Sequence, residues 1–356
     1  MGVFFVYLPN CIKNKILSYK ILNLHIKKGR NTMCTALSYT TKNHYFGRTL
    51  DLDCSYGEEV CVMPRNYPLS FRTMGALGSH YAIIGMATVV QGTPLYYDAT
   101  NEYGLSMAGL NFPNNAFYPS MQAGKDNVAP FEFIPWILSK CKDVKEAKAL
   151  LNHINLVNIP FSAQLPLSPL HWMISDKQES VVVESMQGGL HIHGNPIGVL
   201  ANNPPFEYQL FHLNNYRNLK TDNGQSEFSQ KLSLNEYSQG LGALGLPGDV
   251  SSMSRFVRMS FNRAHSLCED DENASVSQFF HLLSSVETVR GCCVTPSGKH
   301  SVTVYSACMN TDRGLYYYTT YTNRQIHCVD MHKTQLDGRE IYRFPLQLNE
   351  QIQYQN

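Results

Sequence analysis

Met33-Cys34-Thr35-Ala36-Leu37-Ser38-Tyr39-Thr40, a turn at Lys42-Asn43-His44, then Tyr45-Phe46-Gly47-Arg48-Thr49-Leu50-Asp51-Leu52-Asp53: on these residues the reading of the whole chain depends. Leu37–Thr40 and Tyr45–Arg48 are predicted as two short strands, since apolar, β-branched and aromatic residues flank a polar turn. At the head of this hairpin a cysteine follows a methionine, and an arginine and an aspartate lie on the returning strand. If Met33 is removed, Cys34 carries a thiol and a free α-amine on one residue. Their ordinary pKa values, roughly 8.5 and roughly 7.7–8.0, leave both poised near neutrality. The amine can take the thiol proton and later hand it to a leaving amine, so one residue supplies nucleophile and base. Cysteine is small enough to permit methionine excision.

Thirty-two residues precede Met33, and they do not resemble the rest. They carry six Lys/Arg and no Asp or Glu. Apolar Val3–Leu8 comes before any positive charge, the reverse of a secretory signal, and no Ala-x-Ala site precedes Cys34. Lys27-Lys28-Gly29-Arg30 can be encoded by a purine-rich run spaced like a ribosome-binding site ahead of Met33. The expectation is that 1–33 is a wrongly assigned or removed extension and that 34–356 is a single domain. The alternative is a genuine basic tail or propeptide.

Hydrophobic residues make up 43% of the 356 and charged ones 16%, ordinary for a soluble globular protein able to bury a core. No apolar run approaches the roughly 20 residues of a membrane-spanning helix, so no membrane partner is expected. Beyond residue 32, 23 basic residues face 28 acidic ones, a net −5 that offers no basic stripe to nucleic acid. The ten cysteines include no Cys-x-x-Cys, and Cys292-Cys293 is a poor zinc clamp. They read as reduced, mostly buried thiols of a cytoplasmic protein.

Further along, Glu59–Met63, Tyr81–Val90, Leu95–Ala99 and Leu105–Leu110 are predicted strands, the last two joined by a tight turn at Asn101-Glu102-Tyr103-Gly104. Phe131–Cys141 and Val144–His153 have helical spacing, with Asp143 and Glu146 as a capping-box-like start to the second. His171–Ser175 and Ser180–Glu184 are strands. Asn202–Leu213 and the polar Asn214–Glu236 read as an excursion outside the core. Ser254–Ala264 and Ser277–Ser285 are predicted helices; Val302–Met309, Gly314–Tyr321 and Gln325–Met331 are predicted strands. Strands, then helices, then strands, without β-α alternation, argue for a layered α+β architecture.

Three patterns carry less than they promise. Gly240-Leu241-Gly242-Ala243-Leu244-Gly245 matches G-x-G-x-x-G, but no strand precedes it and Pro247 follows, so it reads as a Gly-rich loop. His191 and His193 share one side of a strand, with no third metal ligand at a suitable spacing. Gly104-Leu105-Ser106-Met107-Ala108 lacks the final glycine of a nucleophile elbow.

The hairpin does not stand alone. In order come Asn101-Glu102-Tyr103-Gly104-Leu105, Gly109-Leu110-Asn111-Phe112-Pro113, Leu170-His171-Trp172-Met173-Ile174-Ser175-Asp176, Gly198-Val199-Leu200-Ala201-Asn202-Asn203-Pro204, Gly245-Leu246-Pro247-Gly248-Asp249, Ser254-Arg255-Phe256 and Tyr316-Tyr317-Tyr318-Thr319-Thr320-Tyr321. From Met33 to about Phe344 this order resembles the choloylglycine hydrolases, or bile salt hydrolases, relatives of penicillin V acylases among the N-terminal nucleophile hydrolases. The resemblance implies a four-layer αββα sandwich, a homotetramer, no cofactor or metal, and cleavage of the amide of glycine- or taurine-conjugated bile salts through a thioester. It implies Cys34 as nucleophile with its amine as base, Asp51 holding that amine, and Arg48 and Arg255 favouring the thiolate. Asn202, through its side chain, and the N–H of Asn111 would receive the oxyanion. Leu50, Val90, Tyr97, Phe161, Leu165 and Leu170 align with the apolar substrate pocket. Read alone, Arg48 and Asp51 fit a buried ion pair, Asn202 a turn residue and the six apolar positions plain core. The rivals are a penicillin V acylase, whose members tend to carry Tyr where Asn111 stands, and a non-catalytic bile-salt-binding relative that keeps the extension and so blocks the amine.

Overall fold

The computed structural model describes residues 33–356, and the expectation about the 32 residues before Met33 lies outside them. In chain order the strands are β1 (Met33–Thr40), β2 (His44–Leu52), β3 (Glu59–Met63), β4 (Leu69–Phe71), β5 (Gly75–Leu77), β6 (Ile83–Val90), β7 (Thr93–Asn101), β8 (Ser106–Asn111), β9 (Asp126–Val128), β10 (Ile154–Leu156), β11 (Leu170–Ser175), β12 (Ser180–Met186), β13 (Gly189–Gly194), β14 (Val199–Leu200), β15 (Val302–Asn310), β16 (Leu315–Thr320), β17 (Asn323–Asp330) and β18 (Tyr342–Pro345). The α-helices are α1 (Phe133–Leu138), α2 (Val144–Leu151), α3 (Phe206–His212), α4 (Ser252–His265) and α5 (Glu272–Ser284).

Fourteen of the strands form two antiparallel sheets, ordered β14-β1-β2-β15-β16-β17 and β13-β12-β11-β8-β7-β6-β3-β18. Helices α4 and α5 pack on the six-stranded sheet through β1, β14 and β15, while α1 packs on the eight-stranded sheet through β7 and β8. The sheets face each other where β1 and β2 meet β8. This is an α+β sandwich of αββα type. Its order explains why the strands read as nearly continuous apolar runs. In β3, Val60 and Val62 join the core between the sheets, while Cys61 and Met63 join the core under α1. Both faces of the eight-stranded sheet are buried, so alternation of polar and apolar residues has little to report.

Local chemistry sets the element ends. Asp143 caps α2 by accepting the N–H of Glu146 at 2.8 Å, and Glu146 accepts from Lys142 rather than from Asp143 itself. Phe131–Cys141 is shorter than its spacing suggests, a 3-10 turn at Pro130–Glu132 running into α1. The reading of Asn202–Leu213 as lying outside the core is corrected. Asn202, Phe206 and Gln209 are buried, and only from Arg217 to Gly240 does the chain run without helix or strand. The expectation that the cysteines are mostly buried is corrected: of the eight described besides Cys34, only Cys61, Cys141 and Cys308 are buried.

Candidate active site

The β1–β2 register builds the site. Cys34 pairs with Leu50 and Met33 with Asp51, so thiol and carboxylate leave the hairpin on opposite faces. Arg48 shares the face of Cys34 and reaches the opposing sheet, donating from Nη1 to the carbonyls of Tyr97 at 3.1 Å and Gly109 at 2.5 Å. Next to it, Gly47 admits the close approach of β15, because a Cβ there would lie 1.9 Å from the carbonyl oxygen of Ala307. Cys34 is 2% exposed, and Arg48, Asp51 and Arg255 are fully buried.

Asn202, which follows β14, is the hub. Its Oδ1 accepts from the backbone nitrogen of Cys34 at 2.8 Å and from Nη2 of Arg255 at 2.7 Å, while its Nδ2 donates to the carbonyl of Asn111 at 2.8 Å. These partners assign the orientation of the amide. The backbone of Asn202 is held as well, its N–H by Ser252 Oγ at 2.8 Å and its carbonyl by Nε2 of Gln209 at 2.5 Å. Arg255, on α4, donates from Nη1 to the Cys34 carbonyl and to Thr35 Oγ1, each at 2.5 Å. Cys34, Asn111, Asn202 and Arg255 are thus joined by hydrogen bonds across three elements and the segment after β14.

Asp51 is the register partner of Met33, the residue before Cys34, and its hydrogen bonds go to two threonines. Oδ1 accepts from Thr303 Oγ1 at 2.6 Å, and Thr49 Oγ1 lies 3.5 Å from Oδ2. Burial pushes its pKa up to about 6, against the pull of Arg255, the Thr303 hydroxyl and Arg48. Burial also lowers the pKa of Arg255, opposed by Asp51 and Cys34. For Arg48 burial again pulls down, but Cys34, Tyr305, Asp98 and Asp51 together hold the guanidinium above its ordinary value. Both buried guanidinium groups are coupled electrostatically to Cys34.

Sequence reading missed several supports. Asp98 is fully buried between Tyr305 and Tyr316, whose hydroxyls donate to it at 2.5 and 2.6 Å, and burial raises its pKa. An aspartate within the apolar Leu95–Ala99 strand was the available signal. Thr303 and Gln209 carried none, since a Thr in a strand and a Gln in a helix are ordinary.

Of the six aligned pocket residues, three are tied to this centre. Leu50 is the register partner of Cys34, Leu170 that of Asn111, and the Tyr97 carbonyl takes Arg48. Val90 ends β6. Phe161 and Leu165 lie between β10 and β11, where Phe161 packs on Phe131 and Arg72. The Gly-rich sequence forms a 3-10 turn at Leu241–Ala243. His191 and His193 stack 6.2 Å apart, and among the described residues no group of three His, Cys, Asp or Glu is placed to hold a metal. No helix among them is long and apolar enough to cross a membrane.

Comparison with known proteins follows this geometry. A family model described as linear amide C–N hydrolases, choloylglycine hydrolase family, matches residues 34–344. The chain is 54% identical over 314 residues to a bile salt hydrolase/transferase of Lactiplantibacillus plantarum, covering 88% of this chain and 97% of that protein. It is 39% identical to a bile salt hydrolase/transferase of Clostridium perfringens, over 87% of this chain and 95% of that one. Among solved structures, a cysteine-to-alanine mutant of the Clostridium perfringens conjugated bile acid hydrolase superposes with a TM-score of 0.85 at 37% identity, over 91% of this chain and all of that one. A penicillin V acylase from Agrobacterium tumefaciens gives 0.69 at 21% identity, over 87% and 90% of the two chains, a likeness of fold.

Proposed function

The chain belongs to the choloylglycine hydrolase family of linear amide C–N hydrolases, and on that premise we propose that it cleaves glycine- or taurine-conjugated bile salts through Cys34. The observation that carries the proposal is the pair of contacts on residue 34. Its nitrogen is held by Asn202 and its carbonyl by Arg255, while its thiol is coupled electrostatically to two buried guanidinium groups. With a free amine at residue 34, the Asn202 contact holds that amine on the same residue as the thiol it would deprotonate.

In the proposed reaction the active species begins at Cys34, so the nitrogen is an amine. The thiol proton passes to this amine as sulfur attacks the amide carbonyl carbon. One N–H of Asn202 is engaged by the Asn111 carbonyl, and a carboxamide has two. The second, with the backbone N–H of Asn111, receives the oxyanion; losing one such donor typically costs about 10²–10³ in rate. The C–N bond then breaks and the ammonium returns its proton to the leaving nitrogen, releasing glycine or taurine and leaving a thioester. Water, losing a proton to the amine, attacks the thioester. The C–S bond breaks, the bile acid leaves, and the thiolate is reprotonated. Asp51, the register partner of the residue before Cys34, holds the ammonium form; Arg48 and Arg255 stabilise the thiolate. Leu50, Val90, Tyr97, Phe161, Leu165 and Leu170 line the steroid side. We assign the enzyme to the cytoplasm and to a homotetramer.

The test is amino-acid release from glycocholate and taurocholate, with penicillin V alongside, by protein starting at Cys34 and by protein retaining residues 1–32. Release from the bile salts by the first alone is expected, with loss in Cys34→Ala. No release would sink the bile-salt reading, and faster turnover of penicillin V would move the chain to the acylase branch. Full activity with the extension attached, by intact mass, would exclude the amine as base.

A further inference from the structure

We infer that His171 and Glu184, neither of them in the reaction itself, are positioning residues that set the separation of the two oxyanion donors. His171 is on β11 and Glu184 on β12, both fully buried. Nε2 of His171 lies 2.9 Å from the carbonyl of Ala201, the residue before Asn202. A carbonyl only accepts, so Nε2 carries the proton and donates. The opposite nitrogen, Nδ1, lies 3.0 Å from Oε1 of Glu184, and that same oxygen accepts the N–H of Phe206 at 3.0 Å. The imidazole and carboxylate therefore grip the segment Ala201–Phe206 at both ends, with Asn202 inside it.

The imidazole also touches the other donor. Its ring is stacked on Phe112 at 4.3 Å between centroids and 4° between planes, and Phe112 follows Asn111 directly. One rigid ring thus bears on the residue before Asn202 and the residue after Asn111. The second oxygen of Glu184 has no hydrogen-bond partner and lies 3.6 Å from His193 Nε2. The grip therefore rests on Oε1.

A fully buried imidazole and carboxyl group are costly to desolvate and are a poor source of stability compared with apolar packing. Their presence is accounted for by orientation, because displacing a catalytic group by about 1 Å from outside the reacting centre costs on the order of 10²-fold. The inference rests on the proposed oxyanion role of Asn202, and the experiment separates the two. Glycocholate hydrolysis is measured for the native enzyme, Glu184→Gln, Asn202→Ala and the double variant, with alkylation of Cys34 by iodoacetamide as a probe that needs no oxyanion hole. Expected are a kcat for Glu184→Gln reduced roughly 10–100-fold, KM and alkylation within about twofold, and a double variant no slower than Asn202→Ala alone, since residues acting as a unit are not additive. Losses that multiply in the double variant, or a kcat unchanged in Glu184→Gln while Asn202→Ala is slow, would overturn the positioning role. An unimpaired Asn202→Ala would instead overturn the oxyanion assignment. If Glu184→Gln does not fold, His171→Gln in the same cycle gives the same decision.

Discussion

Asp51 is ionisable, fully buried and pushed up to about 6, so the Thr303 hydroxyl bonded to it has leverage over its charge. Thr303 Oγ1 donates to Asp51 at 2.6 Å and accepts the N–H of Thr288 at 2.8 Å. Thr303→Val keeps the shape and strands both partners, which costs about 1.5–3 kcal/mol for a bond to a charged group. It also removes one of the causes holding the carboxyl down, so the pKa of Asp51 rises further. If ionised Asp51 holds the amine, activity is lost below that pKa, and the acid limb of the pH–rate profile should move to higher pH. Equilibrium unfolding and the profile of kcat/KM check the two halves; an unmoved limb would separate Asp51 from the reaction. Residues of this kind set the limit of sequence reading. Cys34 is conspicuous because it follows a methionine, whereas Arg48 and Arg255 stand out in the sequence only through the family resemblance. Thr303 acts through a single hydroxyl brought from 252 positions away, and nothing in its neighbourhood announces that.

At the scale of the element, the hairpin that carries the site is pinned at its far end by His44. One ring nitrogen meets Ser38 Oγ at 3.0 Å and the other Thr311 Oγ1 at 2.9 Å, which joins β1, β2 and the end of β15. Burial lowers its pKa from 6.5 to about 4, outweighing Asp176 and Asp312. Between those values the unfolded chain binds a proton that the folded one refuses. The stability His44 contributes is therefore present above about pH 6.5 and lost as pH falls towards 4. His44→Gln removes that dependence, so the drop in unfolding free energy from pH 7 to pH 4.5 should shrink by about 2 kcal/mol. Denaturant titrations at the two pH values measure it, and every other titrating group, Asp51 included, is common to both proteins. Equal slopes would mean that His44 is hydrated in the folded state. Elements with a strong local signal were legible: Glu59–Met63 coincides with β3, and the Asn101–Gly104 turn sits between β7 and β8. Short pieces such as β9, β14 and β18 were not, because two to four residues carry too little pattern and form only when a neighbouring strand is already there.

For the whole molecule, the four layers follow from two sheets that must each bury two faces; the order of strands and helices pointed to a layered α+β fold, and only the family resemblance implied four layers. What neither could give is the strand order. β1 sits between β14 and β2, and β2 between β1 and β15, pairings that span up to 265 residues and are decided by the folded ensemble rather than by local preference. A second whole-molecule feature lies outside the layers. Phe228 and Tyr237, each 81% exposed, lie in the stretch from Arg217 to Gly240 that has no helix or strand, and Phe211 and Leu244, 73% and 76% exposed, flank it. Single exposed apolar residues are normal, but large side chains concentrated in and beside one long irregular stretch mark a surface that another molecule covers. We propose a second copy of this chain as the occupant, on the premise of the homotetramer proposed above. Sedimentation velocity of the protein starting at Cys34 should give one species of fourfold chain mass. Phe228→Ser with Tyr237→Ser and Leu244→Ser should shift it to smaller species as concentration falls, since each aromatic offers about 150–250 Å² to such a contact. The catalytic centre is built from β1, β2, β8, α4 and the segment after β14 of one chain, so the dissociated variant should keep Cys34 alkylation at the native rate. A monomeric native protein would remove the tetramer and leave the exposed stretch for a different partner.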